Sequence, residues 1–435
     1  MKSIGLDIGT SSISAVVIND EKEVCDIFTT SNRYIVSNYT YEKIQNTDDI
    51  VNESLEIIER LIVKHKDVVA IGLTGQMHGI LYVDKAGNAV SPLFTWEDKR
   101  GNLPYGLGLQ SWAEHLSRIS GYNLATGYGC VTHYYNLKNG FVPQNAVKIC
   151  SISDYLAMKL VGSKVPRIDA SMAASFGFYN LEKGSFDKRV LTLSEIDTDI
   201  LPEVHSNLCI GETDSGIRVC AAVGDNQASF FGATLGNEDA MLINMGTAGQ
   251  ISICSETRLD TKELETRPYI NSKWLIVGSL LCGGQSYALL ENFFKETVRC
   301  VVGIDVCAYS AMNQLLNEHE MPNDIPIFIP RFNGTRKNPK DFASITRISV
   351  DNFTPLHFIY GILYGIANET NELYNHYLEA SGKPVTTIIG SGNGFRKNPH
   401  LCRIFTDVFG KEVKLSQYNE EAAFGVAVHA LSCTK

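Results

Sequence analysis

Residues 4–12 read IGLDIGTSS, and an apolar run from Ser14 to Ile18 follows them. In the second half of the chain, residues 242–249 read LINMGTAG and precede the apolar run from Ile251 to Ile253. Each copy is an apolar strand, a Gly-Thr turn of small residues and a second apolar strand, which predicts a β-hairpin. A turn of small residues lets backbone amides approach a ligand closely. The repetition predicts a duplicated protein whose two lobes hold a polyphosphate between them.

The length of the chain favours two domains. Its 435 residues are too many for one ordinary hydrophobic core, so two domains of about 200 residues each are expected. We place the boundary near Gly236, which gives an N-terminal domain of residues 1–235 and a C-terminal domain of residues 236–435. Stretches with the apolar periodicity of helices alternate with apolar runs typical of strands, which predicts α/β layers. We expect helices at 47–66, 151–160, 224–235, 286–298, 355–381 and 398–409 and strands at 68–73, 219–223, 274–280 and 386–389.

Composition and charge exclude several functional classes. The chain is 44% hydrophobic and 20% charged, which is typical of a soluble globular protein. Its formal net charge of -10 disfavours nucleic acid and anionic membranes as partners. The 11 cysteines are scattered without metal-ligand spacing, which favours reduced thiols in a cytoplasmic protein. We expect neither a secretory signal nor a membrane span, because no apolar run approaches about 18 residues.

Asp7 lies inside the first predicted hairpin. A carboxylate beside a phosphate-binding turn is repulsive unless a cation lies between the two anions, and Mg²⁺ favours oxygen ligands while keeping its waters. The sequence therefore predicts that Asp7 holds Mg²⁺ through water. The structural alternative is that Asp7 only hydrogen-bonds its own turn, and the second Gly-Thr turn at 246–247 makes that alternative the weaker one.

A glycine-rich stretch, GSGNG at residues 390–394, follows an apolar strand and precedes a helix. That position suits a nucleotide phosphate or ribose docked at a helix N-terminus. Such turns are common in α/β proteins, so the stretch alone is weak evidence. It differs from the dinucleotide fingerprint because its third glycine comes too early, and no acidic ribose ligand follows about 20 residues on. The pattern thus disfavours a nicotinamide-dependent oxidoreductase.

Asp225 follows a predicted strand and begins a predicted helix. Most aspartates in this setting are only helix caps. A carboxylate at a helix N-terminus also stays ionised, so it can accept the proton of an alcohol that attacks a phosphoryl group. Phosphoryl transfer needs little more than positioning, a metal and such a base. Asn226 and Gln227 are then placed to orient hydroxyl groups nearby.

Two further segments combine the groups that a sugar site needs. Residues 74–79 read TGQMHG just past the end of a strand, where polar side chains line the ligand crevice of open sheets. Residues 96–100 read WEDKR and pair an apolar plate for a C–H face with donors and acceptors for hydroxyls. A structural histidine at His78 and an ordinary charged turn at 96–100 are the alternatives.

These segments resemble, in the same order, those of the FGGY carbohydrate kinases, and the resemblance spans essentially the whole chain. The segments are 6–12, 74–79, 96–100, 224–227 and 390–393. The family belongs to the superfamily of actin, hexokinase and the heat-shock-protein ATPases. The resemblance therefore implies an α/β protein of two duplicated actin-like, ribonuclease-H-like domains with a cleft between them.

Within the family, the chain looks closer to the ketose kinases than to glycerol kinase. Residues 126–132 (TGYGCVT), 169–177 (DASMAASFG) and 343–348 (ASITRI), with Ser153-Asp154-Tyr155, resemble sedoheptulokinases more than xylulokinases. This resemblance implies transfer of the γ-phosphoryl group of ATP to the terminal hydroxyl of a ketose. Sedoheptulose, giving sedoheptulose 7-phosphate, is the implied substrate.

The resemblance also implies a role for each matched residue. Asp225 is the catalytic base, and Asp7 belongs to the Mg²⁺ shell. The phosphates of ATP are held by Gly9, Thr10, Ser11, Gly246 and Thr247, and the nucleotide is held by Gly390, Ser391, Gly392 and Asn393. The residues that face the sugar are Gln76, Met77, His78, Trp96, Asp98, Asn226 and Gln227.

Several alternatives stay open at this point. The substrate of the same fold can be xylulose, ribulose or another ketose or polyol, because one carbon changes binding by only about 1–3 kcal/mol. A protein of a different class, a non-catalytic actin-like nucleotide switch or sugar sensor, is disfavoured by the presence of both Asp225 and residues 76–78. The sequence does not decide between a monomer and a homodimer.

Overall fold

The computed structural model describes residues 1–205, 208–259, 261–335, 338 and 340–434. The chain divides into two compact units. The first unit comprises residues 1–235, 268–270 and 418–435, and the second comprises residues 236–267 and 271–417. The first division falls after Leu235, next to the expected boundary near Gly236. Residues 268–270 and 418–434, which fall within the expected C-terminal domain, belong to the first unit instead.

The first unit contains short and long strands around one main sheet. Its strands are β1 (Lys2–Ile8), β2 (Ser12–Asn19), β3 (Val24–Ser31), β4 (Ile44–Gln45), β5 (Val68–Gly75), β6 (Leu81–Asp84), β7 (Leu93–Phe94), β8 (Ala146–Cys150), β9 (Arg167–Ile168), β10 (Tyr179–Asn180), β11 (Ser185–Phe186), β12 (Glu203–Val204), β13 (Cys209–Glu212), β14 (Arg218–Cys220) and β15 (Val223–Gly224). Its helices up to the boundary are α1 (Thr47–Lys64), α2 (Trp112–Ser120), α3 (Gly129–Lys138), α4 (Ile152–Leu160), α5 (Ala170–Phe176), α6 (Lys188–Leu193) and α7 (Asp225–Thr234).

The second half of the chain forms a second main sheet. Its strands are β16 (Ala240–Met245), β17 (Gly249–Ser255), β18 (Glu265–Pro268), β19 (Trp274–Leu280), β20 (Ile327–Ile329), β21 (Ser344–Thr346), β22 (Thr387–Ser391) and β23 (Val413–Leu415). The helices are α8 (Gly284–Val302), α9 (Tyr309–Glu318), α10 (Pro355–Ser381), α11 (Asn393–Lys397) and α12 (Pro399–Phe409), followed by α13 (Glu421–Leu431), which belongs to the first unit.

The two main sheets share the topology of five strands, and each carries one further edge strand, β13 in the first sheet and β18 in the second. The first runs β13-β14-β5-β1-β2-β3 and the second runs β23-β22-β16-β17-β19-β18. In the first sheet β1 and β2 form an antiparallel hairpin, and β3 pairs antiparallel with β2. In the second sheet β16 and β17 form the hairpin, and β19 pairs antiparallel with β17. On the other side of the hairpin lie two parallel strands, β5 and β14 or β22 and β23. The duplication predicted from the repeated hairpin is confirmed.

Each unit has its own apolar core because its helices cover the sheet with an apolar face. In α1 the buried side chains recur at helical spacing, at Ile50, Ile57, Ile58 and Leu61, and pack on the first sheet. In the second unit the long helix α10 contributes a run of fully buried residues to the core around β16, β17 and β22. Within the described residues, no helix is both long and apolar enough to cross a bilayer.

Helix α13 joins the first unit because glycine lets it lie against the sheet. A Cβ atom on Gly5 of β1 would come within 1.9 Å of the Ala423 carbonyl oxygen. A Cβ atom on Gly72 of β5 would come within 2.0 Å of the Val426 carbonyl oxygen. Only glycine permits this approach. The apolar sequence of α13 did not reveal which sheet it would cover.

The glycine-rich stretch at 390–394 is not a free turn. Gly390 and Ser391 extend strand β22, since they pair in parallel with Ile243 and Asn244 of β16. Gly392 has a φ of 85°, which side chains other than glycine rarely adopt, and α11 begins directly after it. The strand therefore runs two residues further than predicted, and the turn is correspondingly tighter.

Candidate active site

Three parallel strands of the first unit end at one edge of its sheet. Strand β1 pairs with β5 so that Asp7 lies opposite Thr74, and β15 pairs with β5 so that Val223 also lies opposite Thr74. The Thr74 hydroxyl donates to the Val223 carbonyl oxygen at 2.8 Å. Asp7, Gln76 and Asp225 therefore lie at or directly after the carboxyl ends of neighbouring strands, which is where open α/β sheets bind ligands.

Asp7 is an anionic group in an unfavourable environment. Its Oδ1 atom is buried and has no hydrogen-bond partner among the described residues, so the alternative of a bond from Oδ1 to its own turn is not observed. Burial raises the pKa of Asp7 to about 7, and the nearby carboxylates of Asp225 and Glu420 add to that shift. A cation at this position would offset both effects.

The residues present fit a magnesium ion. No group of three or more histidine, cysteine or acidic side chains in the described part of the chain is arranged as a metal site. Mg²⁺ does not need such a group, because it is held by one or two carboxylates, by waters and by substrate phosphates. The unpartnered oxygen of Asp7 and the neighbouring Asp225 supply the carboxylates.

Two side chains and one backbone amide hold the first hairpin turn by its carbonyl groups. The Asn32 side-chain amide donates to the Gly9 carbonyl oxygen at 3.0 Å, and the Asn32 backbone amide donates to Ser11 at 2.8 Å. The Gln45 side-chain amide donates to the Thr10 carbonyl oxygen at 2.7 Å. All three carbonyls of the turn are thereby tied to the protein.

Gln45 also connects the turn to the segment predicted to bind sugar. The Gln76 side-chain amide donates to Gln45 Oε1 at 2.8 Å. Gln76 Oε1 is buried without a hydrogen-bond partner in the part of the chain that the structure describes. A buried acceptor of this kind costs free energy until a donor reaches it. Gln76 thus offers an acceptor for a ligand hydroxyl.

His78 has a strained backbone and a fixed ring. Its φ is 72°, and the Gly79 amide donates to the Met77 carbonyl oxygen at 2.9 Å across it, which describes the rare γ-turn with positive φ. His78 Nδ1 lies 2.7 Å from the Ser175 carbonyl oxygen, which can only accept, so Nδ1 carries a proton. The ring also stacks on Tyr128, with centroids 4.6 Å apart.

Trp96 contacts the phosphate turn as well as solvent. Its indole Nε1 donates to the Thr10 hydroxyl at 2.9 Å, while 46% of the residue stays exposed. The neighbouring Glu97 accepts a hydrogen bond from the Tyr34 hydroxyl at 2.6 Å. The indole therefore presents an apolar surface that is anchored to the first hairpin turn.

Asp98 is placed differently from the sequence expectation of a sugar contact. It is fully buried, and its Oδ1 accepts the Arg100 Nε at 2.7 Å and the Arg100 backbone amide at 3.0 Å. Its Oδ2 accepts Arg100 Nη2 and the Lys43 backbone amide, both at 3.1 Å. Arg100 is itself buried beside the ring of Phe94. Both oxygens of Asp98 thus stabilise the protein fold.

Asp225 is the first residue of α7, and Gly224 occupies the cap position without a side-chain cap bond. The reading of Asp225 as the helix cap is therefore wrong. Gln227, expected near the sugar, is fully buried, and its side-chain amide donates to the Pro268 carbonyl oxygen at 3.0 Å. A Cβ atom on Gly224 would come within 2.4 Å of Gln227 Oε1 and 2.8 Å of the Met77 sulfur. Met77 and Gln227 thus pack against the segment that carries Asp225.

The second unit contains a cavity of about 730 Å³. Its volume lies within the usual range for small-molecule and cofactor sites. The second hairpin turn contributes Gly246 and Thr247, and α11 contributes Asn393. Gly390, Ser391 and Gly392, which were also expected to hold the nucleotide, are not among the described residues that line it.

Backbone amides hold the second hairpin turn by its carbonyl groups. The Gly284 amide donates to the Gly246 carbonyl oxygen at 2.9 Å. The amides of Gly283 and Gln285 both donate to the Thr247 carbonyl oxygen at 3.0 Å. These three amides belong to the start of α8, so the turn and the helix terminus satisfy each other.

The sequence analysis missed several residues of the cavity. They come from α8, α9, α11 and α12 and include Gln285, Tyr287, Tyr309, Asn313, Lys397 and Asn398. The Tyr287 hydroxyl and the Asn398 Nδ2 are buried without a partner among the described residues. No local pattern distinguishes these residues from other polar helix residues, because the cavity forms only where residues of α8, α9, α10, α11 and α12 meet.

Two family models match nearly the whole chain. The N-terminal domain of the FGGY family of carbohydrate kinases matches residues 3–232, and the C-terminal domain of that family matches residues 241–433. The sedoheptulokinase of Mus musculus is 25% identical over 98% of this chain and 96% of its own length. The xylulose kinase of Staphylococcus xylosus is 23% identical over 98% of this chain and 90% of its own length.

The fold is similar to those of solved sugar kinases. The crystal structure of the xylulose kinase from Rhodospirillum rubrum superposes with a TM-score of 0.84 at 19% identity, over 100% of this chain and 90% of that one. At this identity the likeness shows the fold alone. It confirms the expected α/β protein of two duplicated actin-like, ribonuclease-H-like domains.

Proposed function

The chain belongs to the FGGY family of carbohydrate kinases, whose co-substrate is ATP, and from this premise we propose that it phosphorylates a ketose at its terminal hydroxyl. Sedoheptulose is the first candidate, because a sedoheptulokinase matches over almost the full length of both chains. The observation that carries the proposal is the meeting of Asp7, Gln76 and Asp225 at one edge of the first sheet. That edge offers a metal ligand, a sugar acceptor and a base together.

We propose that Asp225 is the base. The terminal hydroxyl of the ketose attacks the γ-phosphorus of ATP, its proton passes to the Asp225 carboxylate, and the bond to the β-phosphate oxygen breaks to release ADP. The positive end of the α7 dipole favours the ionised carboxylate at this first helical position. Little covalent chemistry is required beyond this proton transfer, because positioning and charge stabilisation do most of the work.

Asp7 is the proposed magnesium ligand, acting through water, with Asp225 beside it. When bound, Mg²⁺ neutralises charge on the phosphate oxygens. Asp7 would hold the ion through a water that donates to Oδ1, which is buried and has no partner among the described residues. The role of the carboxylate pair is to hold the cation at the carboxyl edge of the sheet.

The cavity of the second unit is the proposed site of the nucleoside. Gly246 and Thr247 line this cavity together with Gly394 of α11. We propose that the second turn offers backbone amides to the phosphates. The first turn at 9–11 is the second proposed phosphate contact, since its carbonyls are already held by the protein. Gly390, Ser391 and Gly392 are proposed to shape the turn before Asn393 rather than to contact the adenine base of ATP.

The sugar ligands that we propose are those with a suitable group. Gln76 offers Oε1, His78 offers an imidazole ring fixed by Ser175, and Trp96 offers an apolar face. Asn226, next to the base, is the fourth. For Asp98 and Met77 we propose a role in holding these groups in place, because Asp98 hydrogen-bonds Arg100 and Lys43 and Met77 packs against Gly224. Gln227 is proposed to do the same through its side-chain amide, which donates to Pro268, although its buried Oε1 has no partner among the described residues. We therefore propose fewer sugar ligands than the sequence predicted.

A panel of acceptors tests the proposal. ADP release would be coupled to an optical readout with sedoheptulose, xylulose, ribulose, gluconate and glycerol as acceptors. We expect turnover that depends on a ketose and is fastest with sedoheptulose. A faster xylulose reaction would replace the proposed substrate, and ATP binding without any acceptor-dependent ADP would identify a nucleotide switch or sugar sensor instead.

A variant tests the base. Asp225→Asn should reduce kcat by about 10³-fold while ATP binding stays within a factor of about two, as expected for loss of a general base. Asp48→Asn is the matched control, because Asp48 is an exposed carboxylate in the first turn of another helix, α1. Wild-type turnover in Asp225→Asn would exclude Asp225 as the base.

A further inference from the structure

The short helix α5 carries two buried serines four residues apart. Ser171 and Ser175 are 2% and 4% exposed. Residues at this spacing share one face of a helix. The helix is capped by Asp169, whose Oδ1 accepts the Ser171 backbone amide at 2.8 Å. Neither serine is used by the mechanism proposed above.

Ser171 holds the backbone directly before the proposed base. The Gly224 amide donates to the Ser171 hydroxyl oxygen at 3.0 Å, and this bond is buried. The Ser171 hydroxyl in turn donates to Asp169 Oδ1 at 2.5 Å. An acceptor whose own proton is engaged by a carboxylate is a strong one, because hydrogen bonds in a chain polarise one another. The position of Asp225 is thus tied to α5.

Ser175 holds the backbone of the proposed sugar ligand. The His78 amide donates to the Ser175 hydroxyl oxygen at 2.9 Å, and that hydroxyl donates to the Met172 carbonyl oxygen at 2.7 Å. The Ser175 carbonyl accepts the Nδ1 proton of the same histidine. A positive φ at a non-glycine residue persists only when its surroundings fix it. Ser175 supplies two of the bonds that fix His78.

The two held segments also touch each other. A Cβ atom on Gly224 would come within 2.9 Å of the Met77 methyl group, so the residue before His78 packs on the residue before Asp225. Helix α5, the turn at 77–79 and Gly224 therefore form a closed set of contacts. Helix α5 has seven residues and bonds both Gly224 and His78, so it fixes the distance between these two segments.

We propose that α5 is a positioning element that keeps the sugar hydroxyl and the base in register, with Ser171 acting on Asp225 and Ser175 acting on His78. This inference rests on the proposed roles of those two residues. The serines touch neither substrate nor nucleotide in this scheme. Their effects on catalysis should therefore separate into a base component and a sugar component.

The two serines should give different kinetic signatures. Ser171→Ala leaves the Gly224 amide without its acceptor, so kcat should fall by about 10-fold to 100-fold while the KM for sugar changes by less than about threefold. Ser175→Ala removes the acceptor of the His78 amide and so weakens the strained turn, while the bond from Nδ1 to the Ser175 carbonyl remains. The KM for sugar should therefore rise by about 10-fold with a smaller change in kcat. Ser171→Thr and Ser175→Thr retain the hydroxyl and should recover most of each loss.

Ser54→Ala is the matched control. Ser54 is a fully buried serine of the same unit, and its hydroxyl donates only within its own helix, to the Ile50 carbonyl oxygen at 2.7 Å. We expect this variant to lower the melting temperature without a split between kcat and KM. Equal changes of kcat and KM in both α5 variants, or changes no larger than in Ser54→Ala, would overturn the inference.

Hydrogen–deuterium exchange tests the inference without turnover. Peptides covering residues 222–226 should exchange about 10-fold faster in Ser171→Ala, and peptides covering 76–80 should do so in Ser175→Ala, each without the reciprocal effect. If Ser171→Ala does not fold, Asp169→Asn takes its place, since asparagine also caps helices but weakens the Ser171 bond. Exchange that changes at neither segment contradicts the role of α5, whereas absence of sugar phosphorylation in the wild-type protein contradicts only the proposed function.

Discussion

The two hairpin turns have the same local sequence pattern but are held in different ways. The carbonyls of Gly9 and Thr10 accept hydrogen bonds from the side chains of Asn32 and Gln45. In the second turn, the carbonyls of Gly246 and Thr247 accept hydrogen bonds from backbone amides at the start of α8. The first turn is thus connected to side chains that selection can change, whereas the second is fixed by backbone geometry.

A second difference is one of charge. Asp7 precedes Gly9 of the first turn by two residues, and Asn244 precedes Gly246 of the second turn by two residues. Each lies opposite a residue of the neighbouring parallel strand, Thr74 or Ser391. Only the first hairpin therefore carries a carboxylate at this position. The proposed phosphate contacts belong to both units, but the proposed metal ligand and the proposed base belong to the first.

The largest effect is expected at the backbone contact of the second turn. A Cβ atom in Gly284→Ala would lie 2.5 Å from the Gly246 carbonyl oxygen, a backbone atom that cannot rotate away. We expect a loss of stability of about 3 kcal/mol, which is the upper end for overpacking. ATP affinity should fall at least 10-fold because Gly246 lines the cavity. Thermal unfolding and calorimetric titration with a non-hydrolysable ATP analogue measure both.

Gly108→Ala provides the comparison for Gly284→Ala. The atom nearest to a Cβ on Gly108 is the Tyr105 carbonyl oxygen at 3.5 Å, an ordinary contact. We expect a melting temperature and ATP affinity close to wild type. If Gly284→Ala also behaved in this way, the second turn would not be fixed by its backbone contacts.

An intermediate effect is expected from making the first hairpin resemble the second. The pKa of Asp7 is raised from 3.8 to about 7 in the folded protein, so the folded state binds the proton more tightly than the unfolded state. Wild-type stability should therefore fall as the pH rises from about 4 to about 7. Asp7→Asn lacks this loss and should be more stable than wild type at pH 8.

This comparison requires unfolding curves at pH 5 and pH 8 in EDTA, without nucleotide. Asp199→Asn is the control, because Asp199 is an exposed carboxylate of the same unit. The difference between Asp7→Asn and wild type should grow from pH 5 to pH 8. A constant difference would show that the first hairpin is no more sensitive to pH than the second.

The smallest effect is expected at the bond between Trp96 and Thr10. Trp96→Phe keeps an aromatic ring but removes the donor of the 2.9 Å hydrogen bond to the Thr10 hydroxyl. The bond is partly exposed, so its coupling energy should be about 1 kcal/mol. A double-mutant cycle with Thr10→Val measures that energy in kcat/KM. Additive losses would mean that the indole acts on the sugar alone and not on the phosphate turn.

Much of this architecture could be predicted from local sequence. The hairpins, α1, α10 and the strand before Gln76 follow from periodicity and turn residues that act over a few positions. The packing of α13 on the first unit could not be predicted, because an apolar helix fits any apolar surface of suitable shape. The polar atoms of Asp98 are engaged by Arg100 and Lys43, which a motif match could not show.

The sequence by itself determined the duplicated hairpins and the carboxylate and glycine residues at strand ends, since these depend on neighbours within a few residues. Only the tertiary structure decided which donors hold the carbonyls of each turn and that Asp7 has a buried oxygen without a partner among the described residues. It also decided that Ser171 and Ser175 hold two segments that are distant in the chain. Those properties depend on hydrogen bonds and burial between segments far apart in the chain. Local sequence carries no record of such distances.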